Sequence, residues 1–232
     1  DDGSCVPVQE AGSSCDDGDD NTFNDTWDAE TCACTGTPAV AEDGSGPCSG
    51  QTSVTYHGWT YELVELGDQC WFRANLATEQ FSNGDPIELG TQTNWTTYSP
   101  RMAYHYDDSA YRHVFGGLYN WGAVNDSRGL CPVGWHEPNR TEFNALVDWM
   151  VTEGYDANDI KLPMDSATAL AYWEFGSPTN ESGFSAMPAG ERDPYTGEDL
   201  EINRRAAFWT SSQSQNYSNS GEKFNLNLTS DY

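Results

Sequence analysis

The sequence predicts an α+β fold with a small, separate acidic module at its N-terminal end. Three observations predict this organisation. Short strand-like runs alternate with Gly, Asp and Asn turns after Val54, one strongly amphipathic helical segment lies in the second half, and five of the seven cysteines fall within the first fifty residues. Residues 1–72 contain 15 acidic side chains and no Lys or Arg. We therefore divide the chain into a Cys/Asp-rich module with its linker, residues 1–47, and a main domain, residues 48–232.

The composition excludes several classes of function. The 232 residues carry 10 Lys and Arg against 37 Asp and Glu, a formal net charge of −27. Nucleic acid and anionic lipid surfaces are polyanions, so like-charge repulsion argues against either of them as a partner. No apolar run in the sequence approaches the ~18 residues that a membrane span requires, and we expect no membrane insertion.

The N-terminal module contains an acidic loop between Cys15 and Cys32 whose spacing is typical of an EF-hand-type calcium site. Oxygen-bearing groups recur at alternating positions, and calcium takes about six to eight oxygen ligands. Thr22 replaces the usual turn glycine, and an Asp replaces the final Glu. A loop of Asx turns without a metal is the alternative interpretation. The candidate calcium ligands are Asp17, Asp19, Asn21, Phe23 (through its carbonyl), Asp25 and Asp28.

The crowded cysteines of this module predict disulfide bonds. Loops with few large apolar residues cannot bury a core and are commonly cross-linked. Zinc is the alternative, but the spacing of Cys32 and Cys34 lacks a second pair of ligands and no His lies nearby. The chain starts at Asp1, which we interpret as the result of leader removal, so we expect an exported protein. The cysteines of the module that we expect to form disulfide bonds are Cys5, Cys15, Cys32 and Cys34.

The main domain begins with two predicted short strands around a turn at His57 and Gly58. A helix is predicted over residues 118–124, and a longer and clearer one over residues 141–153. Asn139 is the predicted N-cap of the longer helix, and a glutamate three residues further on completes a capping box. Its apolar residues recur at helical spacing and predict one buried face.

Five segments of the main domain resemble the Fibrobacter succinogenes major paralogous domain. In chain order they read DQCWFRANL at 68–76, GGLYNWGAVND at 116–126, GLCPVGWHEP at 129–138, GFSAMPAG at 183–190 and AFWTSS at 207–212. The N-terminal module is similar to small acidic modules on secreted proteins of Bacteroidetes-type bacteria. The resemblance covers about residues 50–232 and implies an exported bacterial protein with a C-type-lectin-like fold.

The resemblance also implies a pairing for the seven cysteines. We expect a disulfide between Cys48 and Cys70 and two bridges among the four cysteines of the N-terminal module. Family members usually continue past the end of this sequence with a strand pair closing on Gly-Phe-Ser-Val-Arg-Cys, whose cysteine would pair with Cys131. We therefore expect Cys131 to be unpaired. The alternation of residues 224–232 predicts a strand, and if 232 is the native end, an open strand edge results that another chain can complete.

Several surface features predict modification or binding. Asp-Ser-Ala at Ser109 and Ser166 matches the short O-glycosylation pattern of exported proteins from Bacteroidetes-type bacteria, so we expect a glycoprotein. The sequence Glu137-Pro138-Asn139 resembles a sugar-binding tripeptide of C-type lectins, but it is equally typical of a helix entry. Aromatic residues in polar surroundings are expected to bind a ligand or partner: Trp59, Trp95, Tyr98, Tyr104, Tyr106 and Tyr111. Tryptophans inside the family motifs are assigned to the core: Trp71, Trp121, Trp135 and Trp209.

No residue pattern typical of a catalytic site occurs in the sequence. The four His have no metalloprotease spacing, and there is no Gly-x-Ser-x-Gly elbow or phosphate loop. We therefore expect no enzymatic activity. The leading hypothesis is a secreted or cell-surface structural or adhesive protein, a self-assembling subunit of an extracellular filament that contacts itself, other surface proteins or glycans. The alternative is a lectin-like module that binds carbohydrate with calcium as its cofactor and uses no organic cofactor.

Overall fold

The computed structural model describes residues 22–27, 34–38, 46–95, 99–163, 173–174, 176–214 and 221–226. Its architecture is α+β, as the sequence predicts, with five small sheets and few helices among these residues. Several predicted site residues lie outside the described ranges: Cys5, Cys15, Asp17, Asp19, Asn21, Asp28, Cys32, Tyr98 and Ser166.

The described part of the N-terminal module is an antiparallel strand pair. Strand β1 spans Thr22–Trp27 and strand β2 spans Cys34–Pro38. Two of the candidate calcium ligands, Phe23 and Asp25, therefore lie in a strand, and Cys34 begins the strand that pairs with it. The calcium site and the bridges of this module stay predictions.

The main domain opens with a three-stranded antiparallel sheet in the order β3-β4-β5. Its strands are β3 (Ser53–Tyr56), β4 (Trp59–Leu66) and β5 (Gln69–Phe72). The predicted turn is present between the first two: His57 has φ 45° and Gly58 has φ 82°, the positive values that a two-residue hairpin turn requires. The predicted strand pair is thus confirmed.

The middle of the domain combines short strands with short helices. Its elements are β6 (Glu88–Leu89), β7 (Arg101–Ala103), 3-10 turns at His105–Asp107 and Ser109–Tyr111, α1 (Arg112–Phe115), β8 (Leu118–Tyr119) and α2 (Trp121–Val124). The predicted helix over 118–124 is wrong in its first half, because Leu118 and Tyr119 pair with β7. Asn120 then adopts an extended conformation and caps the short helix by accepting from the Ala123 N–H.

Helix α3 (Arg140–Glu153) confirms the longer predicted helix and its start. The Asn139 side chain accepts from the Glu142 N–H at 3.1 Å, and the Glu142 carboxylate accepts from the Asn139 N–H at 2.6 Å. This is the predicted capping box. The helix ends at Gly154, whose φ of 83° suits a left-handed C-terminal cap.

The last part of the domain returns to strands. They are β9 (Glu191–Arg192), β10 (Asp199–Leu200), β11 (Ala206–Gln213) and β12 (Gly221–Leu226). Strands β11 and β12 form an antiparallel pair in which Phe208 faces Phe224. Strand β12 confirms the start of the strand predicted over 224–232, and residues 227–232 lie outside the described ranges.

Two main core clusters lie on opposite faces of β11. The cluster beneath α3 packs against Phe208, and the second cluster packs against its neighbour Trp209. Adjacent side chains of a strand point to opposite faces, so β11 separates the two clusters. The first cluster consists of Leu66, Phe143, Leu146, Met150, Ile160, Trp173, Phe184, Ala186 and Ala206. The second consists of Phe81, Ile87, Met102, Ala123, Val124 and Leu130.

A disulfide joins Cys48 to Cys70, the pair that the sequence resemblance implies. Cys70 belongs to β5, so the bond fixes this strand to the segment that precedes β3. Cys131 is a free, half-buried thiol. Within the described part of the chain, no helix combines the length and apolar character of a membrane span.

Candidate functional site

A large groove with a volume of about 1530 Å³ opens between β5 and β11. Half-buried aromatic side chains line it, and we call it the aromatic groove. Contiguous apolar surface of this kind on a folded domain typically marks an interaction site. The aromatic groove is defined by Trp71, Phe72, Trp121, Trp135, Phe208 and Trp209.

The first wall of the groove is an open strand edge. Among the strands of the described ranges, β5 pairs with β4 alone. The Arg73 N–H donates to the Glu62 carbonyl at 2.9 Å, and backbone groups alternate in direction along a strand. The N–H and C=O groups of Cys70 and Phe72 therefore point away from β4, and no described residue forms a backbone hydrogen bond with them.

The opposite wall is the edge of β11 that faces away from β12. Two contacts hold the ends of this edge: the Gly190 N–H donates to the Arg205 carbonyl at 2.7 Å, and the Ser211 N–H donates to the Pro138 carbonyl at 2.9 Å. By the same alternation, the backbone of Trp209 points outward between these two contacts. Among the described residues, none forms a backbone hydrogen bond with it on that side.

Aromatic rings line one face of the groove near helix α3. The Trp71 ring centroid lies 5.2 Å from Phe143 and 5.7 Å from Phe184. Across the groove, the Phe208 ring lies 6.1 Å from Phe143 and 5.7 Å from Phe184. The two strands therefore share one aromatic floor.

The other face of the groove is aromatic as well. Phe72 packs against Trp135 with 4.4 Å between ring centroids, and Trp121 lies 5.8 Å from Trp209. The indole N–H of Trp209 donates to the Tyr119 carbonyl at 2.7 Å, which fixes the orientation of this ring. A guest in the groove therefore meets aromatic surface above and below.

The two strands that wall the groove bring their aromatic rings close to each other. Because the Phe184 ring lies 5.7 Å from both Trp71 and Phe208, those two rings are at most about 11 Å apart. Two strands that flank a third are separated by roughly 9.5 Å, a spacing that this upper limit allows.

The groove is nearly neutral, in contrast to the whole chain. Its lining contains four acidic and three basic side chains, whereas the chain carries a net charge of −27. Glu191 at its rim is neutralised by Arg205 at 2.6 Å and by Lys223. Repulsion of another acidic protein is therefore weakest here.

Among the titratable groups of the lining, His136 and Cys131 both have raised pKa values. A hydrogen bond of 2.7 Å to Glu142 raises the pKa of His136 above its usual value. Burial, together with the charge of Glu137, raises the pKa of the Cys131 thiol well above its usual value. The thiol is therefore protonated at neutral pH and is a poor nucleophile.

The aromatic residues predicted to bind a ligand do not form one platform. Trp59 packs beside His113 with 4.8 Å between centroids. Trp95 differs from the exposed position predicted for it: only 5% exposed, it lies beneath the Arg192 guanidinium at 5.4 Å. Tyr104 is half-buried, and its hydroxyl donates to Glu79.

Two of the predicted aromatics do lie together at the surface. Tyr106 is 61% exposed and packs edge-on against Tyr111, with 5.2 Å between ring centroids. Nearby Ser109, the described candidate for glycosylation, is exposed at the start of a 3-10 turn. Its modification stays a prediction.

The sequence predicts that four tryptophans of the groove belong to the core, and the structure corrects this prediction in part. Trp71, Trp121, Trp135 and Trp209 are only half-buried, because each presents part of its ring to the groove. Their position within family motifs indicated packing but gave no signal of an open edge.

The lectin-like tripeptide has a structural explanation in this chain. The Glu137 carboxylate accepts from the Leu130 N–H at 3.0 Å, and Asn139 caps α3. Among the described residues, no group of three or more His, Cys, Asp or Glu side chains is arranged to hold a metal ion. Four of the six candidate calcium ligands lie outside the described ranges.

The fold and the site define the chain as an α+β domain with an aromatic groove between two open strand edges. A family model described as the Fibrobacter succinogenes major domain matches residues 64–229, and the chain belongs to this family. The resemblance seen in the sequence motifs is thereby confirmed. No curated protein and no solved structure matches the chain.

Proposed function

We propose that this chain is a non-enzymatic, exported structural or adhesive protein with a C-type-lectin-like fold, the self-assembling subunit of an extracellular filament. The aromatic groove is the observation that carries this proposal. Each subunit receives an extended segment of a second copy between β5 and β11, so that subunits join by strand addition. The backbone groups of Cys70, Phe72 and Trp209 supply the hydrogen bonds.

The energetics of the groove favour such an occupant. An open strand edge is a template for pairing with another chain, and half-exposed aromatic rings gain free energy when they are buried. A guest strand pairs the open edges and buries the rings at once, because its backbone forms hydrogen bonds with the two edges while its side chains cover the rings. Near-neutral charge lets a second acidic copy approach the groove more readily than other parts of the surface.

The disulfide supports a role outside the cytoplasm. Disulfides persist mainly in oxidising compartments, and the bond between Cys48 and Cys70 fixes the receiving strand β5. A fixed edge loses little conformational freedom when a guest pairs with it, which favours tight association.

Assembly of the purified protein tests the proposal. We expect filaments in electron micrographs and sedimentation that rises with protein concentration. Trp135→Glu places a charge in the groove and should abolish assembly. Trp149→Glu is the matched control, because Trp149 is also half-buried but does not line the groove. A protein that stays monomeric at high concentration, or a Trp135→Glu variant that assembles like the control, would contradict the proposal.

A second candidate function is calcium-assisted carbohydrate binding. The exposed ring of Tyr106 favours it, because flat aromatic faces at the surface stack on sugar rings. Glycan binding should then require calcium, stop when a chelator is added, and weaken in Tyr106→Ala. Absence of binding to a broad glycan array, with and without calcium, would rule this candidate out.

A further inference from the structure

The two aromatic faces of the groove restrict the chemistry of its guest. Alternate side chains of an extended strand point to opposite faces. In this groove, one set meets Phe143 and Phe184, and the other set meets Trp121 and Trp135. Each face of the guest therefore meets aromatic rings over the central part of the groove.

The closed ends of the β11 edge restrict the length of this central part. Gly190 forms a backbone hydrogen bond with this edge at Arg205, and Pro138 forms one with it at Ser211. The open stretch between these contacts is about as long as β5 on the other wall, four residues. A guest therefore has about four residues with both faces covered, and its flanks extend into solvent.

The walls also restrict the direction of the guest. The Gln69 side-chain amide donates to the Glu142 carbonyl at 3.1 Å, and the Ser211 N–H donates to the Pro138 carbonyl at 2.9 Å. The start of β5 and the late part of β11 therefore both lie at the beginning of α3, and the two strands run in opposite directions. Any guest pairs antiparallel with one wall and parallel with the other, and it joins their two sheets into one.

We infer that the groove selects a strand that is apolar on both faces over about four central residues, with charges only in its flanks. Strands buried on both faces of a sheet have this pattern, in contrast to the alternating pattern of an ordinary surface strand. The inference rests on the proposed function, since it names the kind of segment that the strand-accepting site takes.

A matched set of peptides tests the inference. All are about eight residues long and carry Lys at both ends for solubility. The first has Val-Tyr-Val-Ile at its centre, the second has Val-Glu-Val-Lys, and the third has Val-Tyr-Pro-Ile. Binding is measured by tryptophan fluorescence of the full chain and by protection of the Cys131 thiol, located by peptide mass spectrometry, from excess iodoacetamide at alkaline pH, where more of the thiol is ionised.

We expect the first peptide to bind and to protect Cys131. The second should bind at least ~10-fold more weakly, because it buries charged side chains against aromatic rings. The third should also bind more weakly, since proline cannot donate a backbone hydrogen bond. Trp135→Glu should weaken the first peptide's binding, whereas Trp149→Glu should leave it unchanged.

The outcomes separate the inference from the proposal on which it rests. Equal affinity for the first and second peptides would overturn the inference that the groove selects a strand apolar on both faces. The proposal that the groove binds an extended strand would still stand. Failure of every peptide to bind or to protect Cys131 would overturn both, because the groove would then accept no extended segment.

Discussion

His105 is a buried histidine whose ring makes no hydrogen bond through either nitrogen within the described structure. It is 1% exposed, lies 4.9 Å from the Phe115 ring, and has the Arg192 guanidinium nearby. Burial, followed by the charge of Arg192, lowers its pKa from 6.5 to about 4. Asp107 and Asp199 form ion pairs with the same arginine.

This shift predicts acid sensitivity. The unfolded chain binds a proton at His105 below about pH 6.5, whereas the folded chain does so only near pH 4. The free energy of unfolding should therefore fall between these values, by up to about 1.4 kcal/mol per pH unit from this group. Urea unfolding at pH 7 and at pH 4.5 measures the loss of stability on acidification, and this loss should be smaller in His105→Phe than in the parent. An equal loss in both proteins would show that His105 does not cause the acid sensitivity.

At the scale of single elements, the start of α3 connects the helix to the groove. Asn139 caps the helix, and the neighbouring Pro138 carbonyl holds the end of the β11 edge. The capping box is local in sequence, which is why the helix and its first turn could be predicted. In contrast, Leu118 and Tyr119 form a strand because they pair with β7 more than ten residues earlier, and no local pattern contains that partner.

Removing the cap should destabilise the domain. Asn139→Ala leaves backbone N–H groups of the first turn unsatisfied and should lower the free energy of unfolding by about 1 kcal/mol. Thr152→Ala is the control, because Thr152 is exposed near the other end of the helix, where its hydroxyl donates to the Asp148 carbonyl. Chemical denaturation of both variants checks this, and equal stability would show that the cap contributes nothing.

The Cys48–Cys70 disulfide closes a segment with a sequence separation of 22. A cross-link of this span restricts the unfolded chain, so replacing both cysteines with alanine should lower the free energy of unfolding by about 3 kcal/mol. Urea unfolding of the double variant and the parent, both without added reductant, provides the measurement. A loss below about 1 kcal/mol would mean that the bond adds little to the stability of the β3-β4-β5 sheet.

At the scale of the whole molecule, the groove arises from contacts between distant parts of the chain. Phe72 meets Trp135, and Trp121 meets Trp209, although many residues separate the members of each pair. The sequence identified these residues through family motifs and predicted that they are packed. It could not predict that two sheets leave a gap between them, because an open edge is a property of the assembled topology.

The contrast between the acidic chain and its near-neutral groove also matters at this scale. The strongly acidic surface keeps copies apart, while the near-neutral groove offers one place where they can meet. High salt screens the surface repulsion, so assembly should begin at a lower protein concentration as ionic strength rises. Light scattering at several salt concentrations measures this onset, and an onset that moves to higher protein concentration would contradict the explanation.

Hydrogen exchange of the assembled protein, compared with the monomer, tests most directly whether the open edges receive a strand. The backbone amides of Cys70, Phe72 and Trp209 should exchange at least ~100-fold more slowly after assembly, because each gains a backbone partner. Amides on the exposed turn at residues 82–85, which does not line the groove, serve as the internal reference and should not change. If the three edge amides exchange equally fast in both states, the groove is not where subunits join.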